Sequence, residues 1–246
     1  MLLHLLALNA ALAKPSAQAL ADAWAKQFNI VSRHTAHPIL LDDEDFERVA
    51  DGKTAKRRLN QEGPDRVIGV GWTPHSRQAI WIAIIDDIHN TMVNSLHEKR
   101  LGKNSEGAKL LYQRLDLPWP FNDRQWVISI SNNIALADAS AGEVWERSWS
   151  LVDPIKDEPA DPQALWIPTL DGSWIATPVE NGTLLIYQVR TTIGGAIPDD
   201  LVTRWAMSTL DDMLENVFLR AGQIPQHYSA DHEPIRGGDG KSIKPF

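Results

Sequence analysis

The sequence predicts an α+β protein, an antiparallel sheet with a long C-terminal helix laid against its inner face. Three observations lead there. From about residue 91 to 192, apolar and polar residues alternate with period two in segments divided by turn residues, the pattern of strands buried on one face and wet on the other. The connections between those segments are short, as antiparallel neighbours require. Then comes "DDLVTRWAMSTLDDMLENVFLRAG", with Asp199 or Asp200 at its start and Gly222 at its end. At 100° per residue, Val202, Ala206, Leu210, Met213, Leu214 and Val217 share one side, opposite Arg204, Asp211, Asp212 and Glu215. That stripe needs an apolar partner, and the inner face of the sheet supplies it.

The chain begins "MLLHLLALNAALAKPSAQ", an apolar run ending in small residues. It predicts a signal peptide over residues 1–13 with cleavage after Ala13, hence a periplasmic or secreted protein. The n-region lacks Lys and Arg, so a mis-assigned start codon and a cytoplasmic protein is the alternative. After Pro15 and Ser16, the spacing of Leu20, Trp24 and Phe28 predicts a helix over about 17–28. Residues 31–45, with "HTAH" and "DDED", read as connection, and "DGK" at 51–53 as a turn between two short extended segments. "RVIGVGW", Arg66 to Trp72, is β-branched and strand-like. Thr73-Pro74 then signals the start of a buried helix through "RQAIWIAIID".

In the strand region, Trp126, Ile128, Ile130 and Ile134 alternate with Ser129, Ser131 and Asn133, and Trp145, Trp149 and Leu151 alternate with Glu146, Ser148 and Ser150. Asp171-Gly172 and Asn181-Gly182 both read as tight turns. In the last strand Leu185, Tyr187 and Val189 oppose Gln188 and Arg190. The loop "DPIKDEPADPQ", Asp153 to Gln163, reads as solvated connection, with a lid as the alternative. Residues 229–246 read as a disordered tail behind a domain of residues 14–228.

Composition removes several functions. The chain has 246 residues, a formal charge of −8 and no cysteine. A nucleic acid is therefore not expected as partner, and thiolate chemistry and disulfides are excluded. The basic cluster "KTAKRR", Lys53 to Arg58, reads as a solvated strand or turn, with contact to an anionic membrane as the alternative. His34 and His37 lack a further ligand at recognisable spacing, so no metal is expected. No nucleophile elbow, phosphate loop or dinucleotide fingerprint is present, and no cofactor is expected.

The stretch "LPWPFNDRQW", Leu117 to Trp126, explains how two strands are joined. Pro118 and Pro120 cannot donate to a ladder and hold Leu117 and Trp119 extended. The segment resembles the Pro-aromatic-Pro-x-x-x-Arg joint of START domains, the steroidogenic-acute-regulatory-related lipid-transfer family. "GGAIPDDLVTRWAMSTLDDML", Gly194 to Leu214, resembles that family's entry into its last helix, and "GSWIATPVENGTLLIY" its two penultimate strands. The likeness covers roughly residues 17–225. It implies the helix-grip fold, a curved antiparallel sheet wrapped around a long C-terminal helix, and a lipid or sterol-like hydrophobic ligand held between them without catalysis.

The inward faces then nominate Trp126, Ile128, Ile130, Trp149, Leu185 and Tyr187 on the sheet and Met207 and Leu210 on the helix as ligand contacts. The resemblance departs at two places. Where some members carry a buried arginine six residues past the motif arginine, this chain has Ile130, and after Arg124 it has Gln125 in place of an acid. That implies a ligand of little charge, its polar end met by Tyr112 or Arg114. Two other readings stay open: a helix-grip cyclase or hydrolase using Tyr112, Arg114 or His97, and an interaction module with a filled core.

Overall fold

The computed structural model describes residues 14–37, 39–86, 96–154, 160–229 and 231–246. The expected signal peptide and residues 155–159 of the acidic loop lie outside them. Among the described residues nine strands form one curved, almost wholly antiparallel sheet, eight of them in the order β1-β2-β9-β8-β6-β5-β4-β3 and β7 beside β5 off that path. They are β1 (Ala55–Leu59), β2 (Arg66–Thr73), β3 (Leu96–Lys103), β4 (Lys109–Leu115), β5 (Arg124–Asn132), β6 (Trp145–Val152), β7 (Leu165–Trp166), β8 (Thr169–Val179) and β9 (Gly182–Thr192). Only β7 is parallel to its partner, β5. The chain crosses from β2 to the far edge at β3, then walks back strand by strand until β9 pairs with β2.

Among the described residues five helices cover this sheet: α1 (Ala17–His34), α2 (Asp43–Ala50), α3 (Arg77–Ile85), α4 (Ile134–Ala139) and α5 (Asp199–His227). Each face has its own core. On the convex face α1 and α2 bury Leu20, Trp24, Phe46 and Val49 against Ile68, Val70, Ile175 and Ile186. On the concave face α3 and α5 bury Trp81, Leu214 and Val217 against Trp145, Trp174 and Leu185.

Several local expectations are corrected. Residues 43–50 are helical because Asp42 and Asp45 cap each other reciprocally and three acids occupy the first turn, where the helix dipole favours them. The first helix runs to His34, and α3 is capped by Ser76, since Thr73 still belongs to β2. Ile134 leaves the alternation and opens α4, exposed. Asp171-Gly172 lies inside β8, paired with Arg190 and Val189. The β8–β9 hairpin does fall at the second turn signal, with Val179 opposite Gly182 and Glu180 at φ 48°.

Helix α5 passes Gly222 and ends at His227, despite Pro225. The segment after it is ordered where a disordered tail was expected. Tyr228 and Ile243 are buried, the Tyr228 hydroxyl donates to the Ile243 carbonyl at 2.9 Å, and Arg236 bridges Ser242. Gly237 and Gly238 lie on the Trp145 indole so closely that a side chain on either would collide with it.

The basic cluster is consumed internally. Lys56 pairs with Asp211 at 2.6 Å, Arg57 with Asp42 and Asp45, and Arg58 with Asp200 at 2.7 Å. It ties β1 to α2 and α5.

Candidate functional site

Strand parity decides what faces α5. Across the sheet the rungs Leu111–Ile128–Leu151, Ile130–Trp149–Gly172–Val189 and Trp174–Tyr187 lie on the concave side. Two glycines set how the helix meets them. Gly69 and Gly71 stand at concave positions of β2, and a Cβ there would come within 3.0 Å of Leu210 and of the Phe218 ring. Without side chains they let α5 settle on β1, β2 and β9.

The other half of the sheet does not receive the helix. Leu111, Leu115, Trp126, Ile128, Ile130 and Ile167 form an apolar wall whose described neighbours are Leu96, Leu117, Trp149, Leu151, Leu170 and Ile193, none of them on α5. Trp149 is the seam, packing against this wall and against both helix-covered cores. It stacks on Tyr187 at 5.8 Å and 29°, and Tyr187 meets Trp174 at 4.5 Å. Trp149, Tyr187 and Met207 are half-buried although they lie at the middle of the fold. Burial pushes the Tyr187 phenol up, keeping it neutral. Trp126 satisfies its indole N–H on Gln113 at 2.6 Å.

The proline joint closes one end of the wall. Arg124 is buried and donates to the carbonyls of Asn122, Ile193 and Gly194, the last at 3.0 Å. It therefore clamps the Gly194-Gly195 link, both residues at positive φ, that leads into α5. Beyond the clamp, Trp119, Phe121, Leu165 and Trp166 are exposed, Trp119 at 93%.

No protein-family model matches the chain, and no curated protein matches it. Solved structures do. Human STARD10 superposes with a TM-score of 0.56 at 9% identity, over 78% of this chain and 84% of that one. A STAR-related lipid transfer protein from Xanthomonas axonopodis gives 0.53 at 16% identity, over 69% of this chain and 99% of that one. Human StAR-related lipid transfer protein 5 gives 0.53 at 10%, over 84% and 97%. The fold is START-like and helix-grip.

Within this START-like fold eight of the ten nominated ligand contacts share the concave side: Trp126, Ile128, Ile130, Trp149, Leu185, Tyr187, Met207 and Leu210. Leu185 and Leu210 are fully buried in packing with the helices, while the other six line the wall or the seam.

Tyr112 and Arg114 are corrected, because β4 presents them on the convex side. The Tyr112 hydroxyl bonds Gln125 at 3.0 Å, and Gln125 in turn holds the carbonyls of Asp161 and Ala164. Arg114 pairs with Asp161 at 2.9 Å and Asp116 at 3.2 Å. With His97, bonded to Asp116 at 2.7 Å, they border a recess of about 490 Å³. Each of these groups is tied down by a structural partner.

The convex side also carries a polar cavity of about 880 Å³, floored by serines of β5, β6 and β8. Glu146 borders it, its carboxyl pushed up by burial while Asn133 holds it at 2.7 Å. At the opposite border burial alone would raise the Asp171 carboxyl, yet Arg66 and Arg190 hold it low. His37 joins that cluster at 3.2 Å, which is the use the structure finds for the "HTAH" stretch. Among the described residues no group of histidines and acids could hold a metal.

Sequence reasoning missed Leu111 and Trp174 on the concave side, and with them one charged residue. Arg147 lies between Trp145 and Trp149 on β6, beside Asn132 and Trp174. The signal was present, since the alternation that turns the two tryptophans inward turns Arg147 with them.

Proposed function

We propose that the protein binds a lipid or similar hydrophobic molecule on the concave wall of β4, β5 and β6, without catalysis. The observation that carries this reading is the apolar wall of Leu111, Trp126, Ile128 and Ile130, which α5 leaves uncovered because Gly69 and Gly71 draw it to the other half of the sheet. An apolar guest leaving water for such a wall gains about 25 cal/mol per Å² of apolar surface. On β5 from Trp126 onward, and on the concave positions of β6, β8 and β9, there is no carboxylate and no histidine to act as acid or base, which favours a carrier over the cyclase or hydrolase alternative. The likeness to lipid-transfer structures supports the same class of ligand.

Native mass spectrometry of the gently purified chain is expected to show an added mass of lipid size. Ile128→Asp is expected to remove that mass while the far-UV circular dichroism stays that of the parent, because a carboxylate on the wall repels an apolar guest. A parent protein that is consistently empty, including after incubation with mixed lipids, defeats the reading.

The guest must enter somewhere, and the joint is the candidate. Its Leu117 and the neighbouring Ile167 and Ile193 continue the wall outward to the exposed Trp119, Phe121, Leu165 and Trp166. Amphipathic aromatic rings of this kind settle at membrane–water interfaces. Transient membrane contact through this rim, rather than through the internally paired basic cluster, predicts that Trp119→Ser lowers co-sedimentation with phosphatidylcholine vesicles severalfold at unchanged thermal stability. Equal co-sedimentation of variant and parent would remove the rim from the account.

A further inference from the structure

The concave wall has an apolar end and a cationic end. At the apolar end stand Trp126 and Leu151, next to the proline joint. Six residues along β5, about 20 Å away at 3.3 Å per residue, Asn132 pairs with Arg147 of β6. Arg147 is enclosed by Trp145 and Trp149 along its own strand and by Trp174 across the next. Among the described residues no carboxylate and no hydrogen-bond acceptor meets its guanidinium. The side chain is half-buried, and Arg147 and Lys109 also border the polar cavity of about 880 Å³ described above. Burial alone pushes the guanidinium down to about 10, still charged at neutral pH. Lys109, the first residue of β4 and opposite Ile130 of β5, adds a second cation, pushed down to about 8 by burial and by the Arg147 charge.

A cation placed this deep without a counter-charge is costly in free energy, and the cost is relieved when an anion of fitting shape arrives. A guanidinium presents a planar fork of donors that matches a carboxylate or phosphate. Side chains of this fold provide no such acid on the concave positions of β5, β6, β8 and β9. Resting on the concave-wall reading above, we infer that the ligand is an anionic amphiphile, its carboxylate or phosphate received by Arg147 at the inner end and its apolar chain lying along Ile130, Ile128 and Trp126 toward the joint. This overrides the expectation of a ligand with little charge, which considered only Ile130 and Gln125.

The test uses three single-chain probes of equal length, a fatty acid, an alkyl phosphate and a fatty alcohol, titrated into the full chain at pH 7 and followed by tryptophan fluorescence. At least one acidic probe is expected to bind about tenfold or more tightly than the alcohol, the scale of a charge-assisted hydrogen bond, and which of the two does so separates carboxylate from phosphate. Arg147→Gln should bring the acids down to the alcohol and leave the alcohol unchanged, whereas Arg147→Lys should keep part of the preference. Equal binding of all three probes to the parent overturns the inference while leaving the concave wall in place. So does an acid preference that survives in a folded Arg147→Gln. Failure of every probe overturns both. Should Arg147→Gln not fold, the parent's preference and its partial retention in Arg147→Lys decide the matter.

Discussion

Gly172→Val is expected to lower stability by about 3 kcal/mol or more and to abolish binding on the concave wall. Gly172 sits on the concave rung between Trp149 and Val189. A Cβ built there would be 2.3 Å from the Gln188 carbonyl oxygen and 2.5 Å from the Trp149 ring. The indole thus lies flat on bare backbone, and the obstructing atom belongs to a central strand that pairs on both sides and has nowhere to go. Overpacking of a settled core costs about 1–3 kcal/mol, and displacement of a ladder strand adds to it. For a chain of this length the melting temperature should fall by roughly 6–12 °C. Gly71→Ala is the comparison. Its Cβ would meet only the tip of the Phe218 ring at 3.0 Å, a side chain that can turn aside, so the loss should be much smaller. Melting curves for Gly172→Val that match the parent would show that Trp149 does not rest on β8, and the seam between the two halves of the concave core would have to be redrawn.

Arg124→Met should cost about 3 kcal/mol and loosen the entry to α5. The guanidinium donates to four carbonyls, two of them on the Ile193–Gly194 link and two, Asn122 and Asp123, on the proline joint. Its removal leaves buried acceptors without donors, at about 1–3 kcal/mol each and less than additively. Arg124→Lys should rescue little, because a compact ammonium cannot fork across two separated segments. Hydrogen exchange provides the local reading: amides from Ile193 to Ile197 should exchange faster in both variants, with those of β2 unaffected. Unchanged exchange there would mean that the arginine is not the clamp. The same residue unites the two sequence resemblances, since the arginine of the proline joint holds the Gly-Gly link that precedes the last helix.

Some expectations succeeded because their cause is local. The alternation in Trp126–Ile130 and Leu185–Val189 and the stripe from Val202 to Val217 reflect one rule each, period two or period 3.6, applied over a single segment. The helix through "RQAIWIAIID" was also legible, although its cap is Ser76 and not the Thr73 read from the sequence. Where two local signals competed, sequence reading failed. Asp171-Gly172 has the composition of a turn, but Asp171 is bound by Arg66 and Arg190 and Gly172 is kept bare by Trp149, and both partners are distant in the chain. The C-terminal segment is rich in glycine because the backbone must lie against the Trp145 indole, a reason that the segment's own composition does not carry.

By itself the sequence determined the antiparallel character of the strand region, the apolar stripe of the last helix and the joint with its arginine. The fold of the sheet and helix around a START-like core follows from those. Tertiary structure alone decided the phase of β4, where Leu110, Tyr112 and Arg114 alternate with Leu111, Gln113 and Leu115, and apolar residues stand on both sides. Pairing Lys109 with Ile130 sends Tyr112 and Arg114 to the convex face, because a shift of one residue would invert every side chain. It also decided that α5 covers one half of the concave sheet and not the other. That asymmetry arises from two glycines on β2 meeting leucines some 140 residues later, and a contact of that range leaves no periodicity in the sequence.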